Sequence, residues 1–491
     1  MDAPIARTSL GDLRGIWHDG IAAFRGVPYA SPPVGERRFI AAQSVRGWSG
    51  LRDATRHGPI APQLPSRLRV AMGDFERPHD EDCLTLTICT PAPDAKARPV
   101  LVWLHGGAWI SGAGSLDWYD GANLARDGDI VVVGVNYRLG ALGWLHRPGI
   151  VDVEPGTSDM IAALNWVRDH IAAFGGDPRC VTVMGQSAGA TSIGRLLTLP
   201  EARPLFHRAI MQSGGFGRGA YTSVMATERA DQLLHALDID PQSSDALARL
   251  RGIDVTRLLE AQSHLARSNA RFAQTNPPFI PVLPRSMTQA EMLGAIADGA
   301  DGKPVLIGAT ADEVHAFFAA DPAMQDVPAD KLLARFGGEA VLAKYRARRP
   351  GGSAMDLLAD LGSDETFVLP ATRLAEAITR RGGTAYAYLF DWAPPGSRFH
   401  SCHCIDLPFV FGTFAAWADA PMLAGGDQAQ MADLSAVMQR AWIAFARAGD
   451  PRQELLSDWP PYNTTERPPY NTTERPTMRF GARVGVAGAW H

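Results

Sequence analysis

The chain has 491 residues and a formal net charge of −5, and 46% of its residues are hydrophobic. This is the composition of a globular protein that is long enough to bury a large core. No run of lysine and arginine is dense enough for a nucleic-acid or anionic-membrane surface, so we predict neither partner. The longest apolar runs are much shorter than the roughly 20 residues that span a bilayer.

The cysteines and the N-terminus indicate a compartment. Residues 1–15 lack the basic and apolar regions of a secretory signal. The five cysteines are few and odd in number, as expected where thiols stay reduced. We therefore predict a cytoplasmic protein that acts as a monomer or a homodimer.

Short β-branched and apolar runs, separated by helical patterns, recur along the chain. They predict buried strands at 99–105, 129–137, 180–185, 207–213, 303–310 and 384–390. Residues 158–174 carry apolar side chains at helical spacing. This alternation predicts one α/β domain over 1–491, with a mostly parallel central sheet and helices on both faces. Residues from about 220 to 300 are helix-rich and less regular, and we predict that they form a helical cap insertion.

The sequence PPYNTTER occurs at 460–467 and again at 468–475. Architectural repeats have periods of about 20 to 50 residues, so this copy indicates a duplication within a surface loop. Each copy contains an Asn-Thr-Thr sequon, at Asn463 and Asn471. Without a secretory signal, we expect neither to be glycosylated.

The segment GQSAG at 185–189 lies between a predicted strand and a predicted helix. It matches G-x-S-x-G, the sequence of a tight strand-to-helix turn that exposes a nucleophilic serine. The helix N-terminus that follows favours negative charge. The alternative is a chance match in a chain with 49 glycines. The strand before and the helix after favour a catalytic role for Ser187.

A glycine-rich loop follows an earlier predicted strand, at His105-Gly106-Gly107-Ala108. Glycine lets the backbone approach a substrate oxygen closely, and its N–H groups can then stabilise an oxyanion. We predict that the backbone N–H groups of Gly107, Ala108 and Ala188 form an oxyanion hole. An ordinary turn is the alternative, but a serine elbow requires a loop of this kind.

Two histidines and two cysteines lie within five positions, at His400, Cys402, His403 and Cys404. Structural zinc sites usually draw their ligands from two separated pairs, and the sequence offers no second pair, so we predict no metal. Alternate residues of an extended chain are poorly placed for a disulfide, which argues against a bond between the two cysteines. These residues alone leave open which histidine would act as a base.

Several segments together resemble the type-B carboxylesterase/cholinesterase family of α/β-hydrolases, over nearly the whole chain. They are FRGVPYASPPVGERRF (24–39), EDCLTLTICTP (81–91), NYRLGALGWL (136–145), AAFGGDPRCVTVMGQSAGA (172–190) and LFHRAIMQSG (205–214). The resemblance implies the α/β-hydrolase fold and a serine esterase that needs neither a metal nor an organic cofactor. GQSAGA with HCIDLPF is similar to a bacterial branch, of the phenmedipham-hydrolase type, that resembles carbamate and amide hydrolases as well as esterases.

The resemblance also distinguishes the two histidines. In the family, the catalytic histidine is followed by an acidic residue three positions later and by aromatic residues at six and eight. From His403 these positions are Asp406, Phe409 and Phe411, whereas the same spacing from His400 does not fit. The resemblance therefore implies that His403 is the base and His400 a neighbour.

The family places the acid of the triad just after a strand, usually within Asp-Glu-Gly. This chain has Asp312-Glu313-Val314. The resemblance implies that Glu313 completes a triad with Ser187 and His403, in the order that α/β-hydrolases use. Asp312 is the rival acid, and alternating side-chain direction lets only one of the two face inward.

Three positions depart from the family pattern. Gln186 precedes the nucleophile where the family usually has glutamate, which removes a negative charge near the histidine. Ala61 stands where secreted relatives have a cysteine, so Cys83 lacks that partner. The loop at 279–285 lacks the usual Asp-Gly after Pro-Val.

Three functions are compatible with these observations. The first is a serine hydrolase for small, fairly apolar carboxylic esters, with water as the second substrate. The second is an aryl-carbamate or anilide/amide hydrolase that uses the same triad. The third is a cholinesterase-like binding protein, which the presence of all three triad residues argues against. Four large aromatic residues are candidates for the substrate pocket or the core: Trp109, Trp118, Trp144 and Phe216.

Overall fold

The computed structural model of the chain describes residues 2–218, 221–283, 287–319, 321–462 and 475–487. The strands are β1 (Ile5–Thr8), β2 (Gly11–Arg14), β3 (Ile16–His18), β4 (Ile21–Pro28), β5 (Leu51–Asp53), β6 (Thr85–Thr90), β7 (Arg98–Leu104), β8 (Val131–Val135), β9 (Gly176–Gln186), β10 (Arg208–Gln212), β11 (Tyr221–Thr222), β12 (Val282–Leu283), β13 (Val305–Thr310), β14 (Ala385–Phe390), β15 (Thr477–Phe480) and β16 (Val484–Ala487). The α-helices are α1 (Arg69–Met72), α2 (Ala122–Gly128), α3 (Gly140–Trp144), α4 (Pro155–His170), α5 (Ala188–Leu197), α6 (Ser223–Ala236), α7 (Ala246–Arg251), α8 (Val255–Ser268), α9 (Gln289–Gly299), α10 (His315–Phe318), α11 (Ala329–Phe336), α12 (Glu339–Arg348), α13 (Ala354–Ser363), α14 (Leu369–Thr379), α15 (Leu407–Phe411) and α16 (Gln428–Ala448). The sequons at Asn463 and Asn471 lie outside the described residues.

An eleven-stranded sheet forms the centre of the molecule, in the order β16-β15-β14-β13-β10-β9-β7-β8-β6-β4-β3. The strands from β15 to β8 in this order pair in parallel. Antiparallel pairs flank them at both ends. All six strands predicted from the apolar runs are present, and the predicted α/β fold with a mostly parallel sheet is confirmed.

The central strands are apolar runs because helices cover both faces of the sheet. Every residue of β8, β13 and β14 is buried. Alternate side chains of β7 enter two different cores: Val100 and Val102 pack on one side, and Leu101 and Trp103 on the other. Helices α4, α5 and α14 contribute to the first core, and α2 and α16 to the second.

Three loops that leave the sheet converge on the candidate site. The parallel strands β7, β9 and β13 run in the same direction, so their carboxyl ends lie at one edge of the sheet. The glycine-rich loop at 105–108 follows β7, Ser187 follows β9, and Glu313 comes three residues after β13. The crevice outside the carboxyl ends of parallel strands is where α/β proteins bind ligands.

The segment for which we predict a helical insertion, about 220 to 300, contains α6 to α9 and the two-stranded parallel sheet of β11 and β12. Helix α8 faces the candidate site, whereas α9 packs against α5 and α14 beside the sheet. Its description as one inserted cap stays a prediction. None of the helices in the described part of the chain combines the length and the hydropathy needed to cross a bilayer.

Candidate active site

Ser187 occupies a strained turn between β9 and α5. Its backbone has φ 56° and ψ −118°, a conformation that residues other than glycine rarely adopt. Its N–H donates to the carbonyl oxygen of Gln212 at 2.8 Å, which ties the turn to β10. The side chain lies at the start of a helix, and the residue is only 6% exposed.

The two glycines of the motif are required because backbone surrounds them. A Cβ atom at Gly189 would lie 2.0 Å from the carbonyl oxygen of Leu104, and one at Gly185 would lie 2.7 Å from the carbonyl carbon of Gly189. Neither distance is possible between real atoms without moving the backbone. The motif therefore has glycine at both positions because the backbone of β7 and α5 leaves no room for a side chain.

The glycine-rich loop lies directly against the nucleophile. A Cβ atom at Gly106 would be 3.2 Å from the Cβ atom of Ser187. Gly107 has φ +108° and Ala108 has φ 55°, so this loop is also held in an unusual conformation. Among the described residues we find no acceptor for the N–H groups of Gly107, Ala108 or Ala188. These three N–H groups are therefore free to bind an oxygen atom of a substrate.

His403 and Glu313 form a buried pair. The imidazole Nδ1–H donates a short hydrogen bond to Oε2 of Glu313, and neither residue is more than 1% exposed. The other oxygen of Glu313 accepts from the N–H of Thr310 at 2.9 Å. The N–H of His403 donates to the carbonyl oxygen of Glu313 at 3.1 Å. The carboxylate therefore fixes both the orientation of the imidazole and the nitrogen that carries the proton.

Asp312, the rival acid, points elsewhere. Its carboxylate accepts a short hydrogen bond from Arg349 and a second one, at 3.2 Å, from the N–H of Ser401. The structure thus places Glu313, and not Asp312, against His403.

The second imidazole nitrogen of His403 faces Gln186. The amide nitrogen of Gln186 lies 3.2 Å from Nε2 of His403 and 3.3 Å from the sulfur of Cys404. In the described structure no hydrogen bond joins Ser187 to His403, although both residues line the same cavity. The amide of Gln186 must therefore move before the imidazole can accept a proton from the serine.

A cavity of about 390 Å³ lies beside the nucleophile and the imidazole. This volume suits a small organic ligand. Ser187, His403, Gly107 and Ala108 line it. The rest of its wall includes side chains from residues 64–75 and 262–278, together with Trp118, Arg218 and Phe317.

The chain is similar to several known proteins over nearly its whole length. The model of the carboxylesterase family matches residues 2–485. The chain is 39% identical to phenmedipham hydrolase from Pseudarthrobacter oxydans, over 94% of each chain. It is 36% identical to para-nitrobenzyl esterase from Bacillus subtilis, over 95% of this chain and 94% of the relative. Among solved structures, a thermophilic pNB esterase superposes with a TM-score of 0.84 at 33% identity, covering 99% of this chain and 98% of the other.

The chain belongs to the carboxylesterase family. The resemblance to type-B carboxylesterases, the fold and the activity as a carboxylic-ester hydrolase are thereby confirmed.

The histidine and cysteine cluster of this carboxylesterase has its side chains in different places. The ring of His400 lies beside that of His315, with the centroids 4.7 Å apart, and its Nε2 is 4.0 Å from a carboxylate oxygen of Asp356. Cys402 contacts the sulfur of Met422 at 4.0 Å, and all five cysteines are free. Ligand atoms of His315, Asp356 and His400 lie within 4.8 Å of one another, but neither cysteine of the cluster belongs to a described group of this kind.

The four predicted aromatic candidates divide between cavity and core. Trp118 lines the cavity that contains Ser187. Trp109 and Phe216 line a smaller cavity beside it. Trp144 is buried and packs against Trp109, with the ring centroids 5.8 Å apart. Of the four, only Trp118 is therefore in a position to contact a substrate next to the serine.

Two other aromatic rings contact the imidazole of His403, and no motif marks either of them. The ring centroid of Phe317 is 5.3 Å from that of His403, and the centroid of Phe367 is 4.9 Å away. Phe317 lies in α10, four residues after Glu313, so the sequence separation alone indicates that it is near the acid. Phe367 comes from a π-helix at Asp364–Val368, which nothing in the sequence connects to the site.

We expect Gln186→Glu to move the acidic limb of the pH profile of kcat/KM to higher pH. A carboxylate beside Nε2 stabilises the protonated imidazole, which is inactive as a base. The measurement is the rate of hydrolysis of a p-nitrophenyl ester between pH 5 and 9. Gln439→Glu, at a half-buried glutamine that does not line the cavity, is the matched control. An acidic limb that stays in place in Gln186→Glu would contradict the prediction.

His105 makes the fold sensitive to acid. Burial lowers its pKa from 6.5 to about 4, although its Nδ1–H donates to the carbonyl oxygen of Gly106 at 2.7 Å. The unfolded chain binds a proton at this histidine below pH 6.5, whereas the folded chain does so only near pH 4. Above pH 6.5 His105 is neutral in both states and costs the fold nothing. As the pH falls from 6.5 to 4, the free energy of unfolding decreases by up to about 3 kcal/mol because of this histidine.

In His105→Asn we expect the fall in unfolding free energy between pH 6.5 and 4 to be smaller by about that amount. Urea unfolding at several pH values measures it. His264→Asn, at an exposed histidine, is the control and should leave the slope unchanged. An unchanged slope in His105→Asn would show that His105 is not the group responsible.

Proposed function

We propose that the protein hydrolyses carboxylic esters through an acyl-enzyme on Ser187. The observation that carries this proposal is the buried hydrogen bond from His403 to Glu313, at the wall of a cavity that Ser187, Gly107 and Ala108 also line. A serine hydroxyl is a weak nucleophile at neutral pH and needs a base beside it. An imidazole held by a carboxylate in one tautomer supplies that base.

The steps follow from the positions of these groups. An entering ester displaces the amide of Gln186 from Nε2 of His403, and the nitrogen accepts the proton of Ser187 as the hydroxyl attacks the carbonyl carbon. The N–H groups of Gly107, Ala108 and Ala188 hold the resulting oxyanion, each contributing about 3–4 kcal/mol to lowering the barrier. Glu313 stabilises the imidazolium, which then protonates the leaving alcohol. Water, deprotonated by His403, releases the acid.

A labelling experiment tests this mechanism. A fluorophosphonate probe phosphonylates an activated serine, and peptide mass spectrometry locates the adduct. We expect one adduct, on Ser187, that forms in parallel with the loss of activity. An adduct on another residue, or none on active protein, would contradict the proposal.

Carbamate hydrolysis is a second candidate, favoured by the identity of 39% with phenmedipham hydrolase. The same triad serves both reactions, because esters and carbamates both pass through a tetrahedral oxyanion. Comparing kcat/KM for a p-nitrophenyl ester and an N-aryl carbamate separates the two. Negligible turnover of the ester beside rapid turnover of the carbamate would make carbamates the main substrates.

We also propose a cytoplasmic location for the protein. All five cysteines are free thiols, and Cys83, Cys89, Cys402 and Cys404 are buried. Such thiols persist where the surroundings are reducing. A monomer or homodimer stays the prediction for its assembly.

A further inference from the structure

The cavity beside Ser187 carries a strong positive charge. Its described wall contains Arg67, Arg218, Arg267 and Arg271, and no aspartate or glutamate. The chain as a whole has a net charge of −5. The charge of the cavity is therefore opposite to that of the protein, and a cleft lined by one sign of charge concentrates ligands of the other sign.

Arg218 lies deepest of the four and has no acidic partner. It belongs to the 3-10 turn Phe216–Arg218, just after β10. Its Nη2 donates to the hydroxyl of Thr275 at 2.9 Å, and its guanidinium lies over the ring of Phe367, 5.1 Å from the centroid. Its Nε is buried without a hydrogen-bond partner in the described structure. Part of its hydrogen-bonding capacity is thus unused.

Arg67, which is exposed, contacts the same residue, Thr275. Its Nη2 donates to the carbonyl oxygen of Thr275 at 3.3 Å, and its guanidinium lies over the ring of Phe317, 5.7 Å from the centroid. We find no carboxylate within ion-pairing distance of it among the residues described. Phe317 and Phe367 are the two rings that contact His403. Each of the two arginines is therefore one ring away from the catalytic imidazole.

The three arginines that are buried in the described part of the chain are all paired. Arg138 forms an ion pair with the buried Asp159, and Arg38 forms one with Glu81. Arg98 contacts two aspartates. Arg218 is half-buried and has no such partner for its buried Nε, whereas Arg67 is exposed to solvent.

The electrostatics of the pair favour an anion. Burial, and to a smaller extent the charge of Arg67, lower the pKa of Arg218 to about 9. The guanidinium still carries its charge at pH 7. The charge of Glu313 acts in the opposite direction and offsets only part of this effect. A carboxylate between the two guanidinium groups supplies a further counter-charge and charge-assisted hydrogen bonds.

We infer that the protein prefers esters that carry a carboxylate group, and that Arg67 and Arg218 bind this carboxylate while Ser187 attacks the ester bond. The inference rests on the proposed function of Ser187 and specifies its substrate class. Arg267 and Arg271, on α8 and just beyond it, add to the positive potential at the cavity wall.

The test compares pairs of esters that differ only in charge. In one pair the carboxylate is on the acyl side: the mono-p-nitrophenyl ester of suberic acid and its methyl-capped form. In the other it is on the alcohol side: para-acetoxybenzoate and its methyl ester. We expect kcat/KM of the native protein to be about 10- to 100-fold higher for the anionic member of at least one pair, as one charged hydrogen-bonding contact provides.

The arginine variants show whether these side chains cause the preference. In Arg218→Gln and in Arg67→Gln, the ratio of kcat/KM for the anionic ester to that for the neutral ester should fall about tenfold or more. Arg218→Lys should restore part of it. Arg46→Gln, at an exposed arginine outside the cavity wall, is the matched control and should keep the native ratio. Because the readout is a ratio, a general loss of folded protein does not imitate the effect.

Two results would overturn the inference. One is equal kcat/KM for the anionic and neutral members of both pairs. The other is a preference that survives in both glutamine variants. If the native protein hydrolyses none of the four esters, the proposed function itself fails, and the anion site fails with it; turnover of the neutral esters alone refutes only the anion site.

Discussion

Replacing Ser187 with alanine is expected to lower kcat for a p-nitrophenyl ester by about 10⁶-fold, as the loss of a triad serine does in another hydrolase. Alanine keeps the shape of the turn and removes the hydroxyl that we propose as the nucleophile. The oxyanion donors and the cavity stay in place, so a small residual rate above that of water should remain. Stopped assays with purified protein, checked for traces of native enzyme, measure it.

Ser213→Ala is the matched control for this substitution. Ser213 is also buried and also has a positive φ, of 49°, but its hydroxyl has no partner in the described structure and lies outside the cavity wall. Its removal should leave kcat within a few-fold of the native value. A Ser187→Ala protein that keeps a tenth of the native rate would show that another group is the nucleophile.

Removal of the imidazole of His403 is expected to cost about as much as removal of Ser187, because nucleophile and base act as one unit. His403→Ala leaves Glu313 without its partner and Ser187 without a proton acceptor. His400→Ala should keep kcat within tenfold, since His400 contacts His315 and Asp356 and does not line the cavity. Both variants are assayed on the same ester at pH 8.

Comparing the variants of the two histidines tests which one is the base. If His400→Ala is the inactive protein and His403→Ala is active, the assignment of the base is reversed. The double variant Ser187→Ala/His403→Ala should be no slower than either single variant. A double variant that loses a further large factor would show that the two residues act independently.

Much of the fold was predictable, because a buried parallel strand is a continuous apolar run and can be recognised from its own residues. The same holds for the turn at Ser187, whose glycines are required by atoms a few residues away and by β7. Asp312 and Glu313 differ in this respect. Both are carboxylates at adjacent positions, and what separates them is Arg349 and the N–H of Ser401, which the chain brings to Asp312 from far along the sequence.

The positive wall of the cavity could not be predicted. Arg67 and Arg218 lie far apart in the sequence, and neither belongs to a motif. Their proximity depends on Thr275, which contacts both. Single-sequence patterns report the nearest neighbours of a residue along a strand or a helix, and a site assembled from three loops leaves no such pattern.

The origin of the groups around the cavity has a consequence for how this enzyme can change. Ser187, the oxyanion donors and Glu313 are anchored to the ends of strands whose spacing is set by backbone pairing, at about 4.8 Å. Arg218 shares that framework, because its turn follows β10. Arg67, Arg267 and Arg271 are exposed and belong to segments outside it. Evolution, or an engineer, can therefore change these three arginines for a new substrate without disturbing the atoms that break the bond.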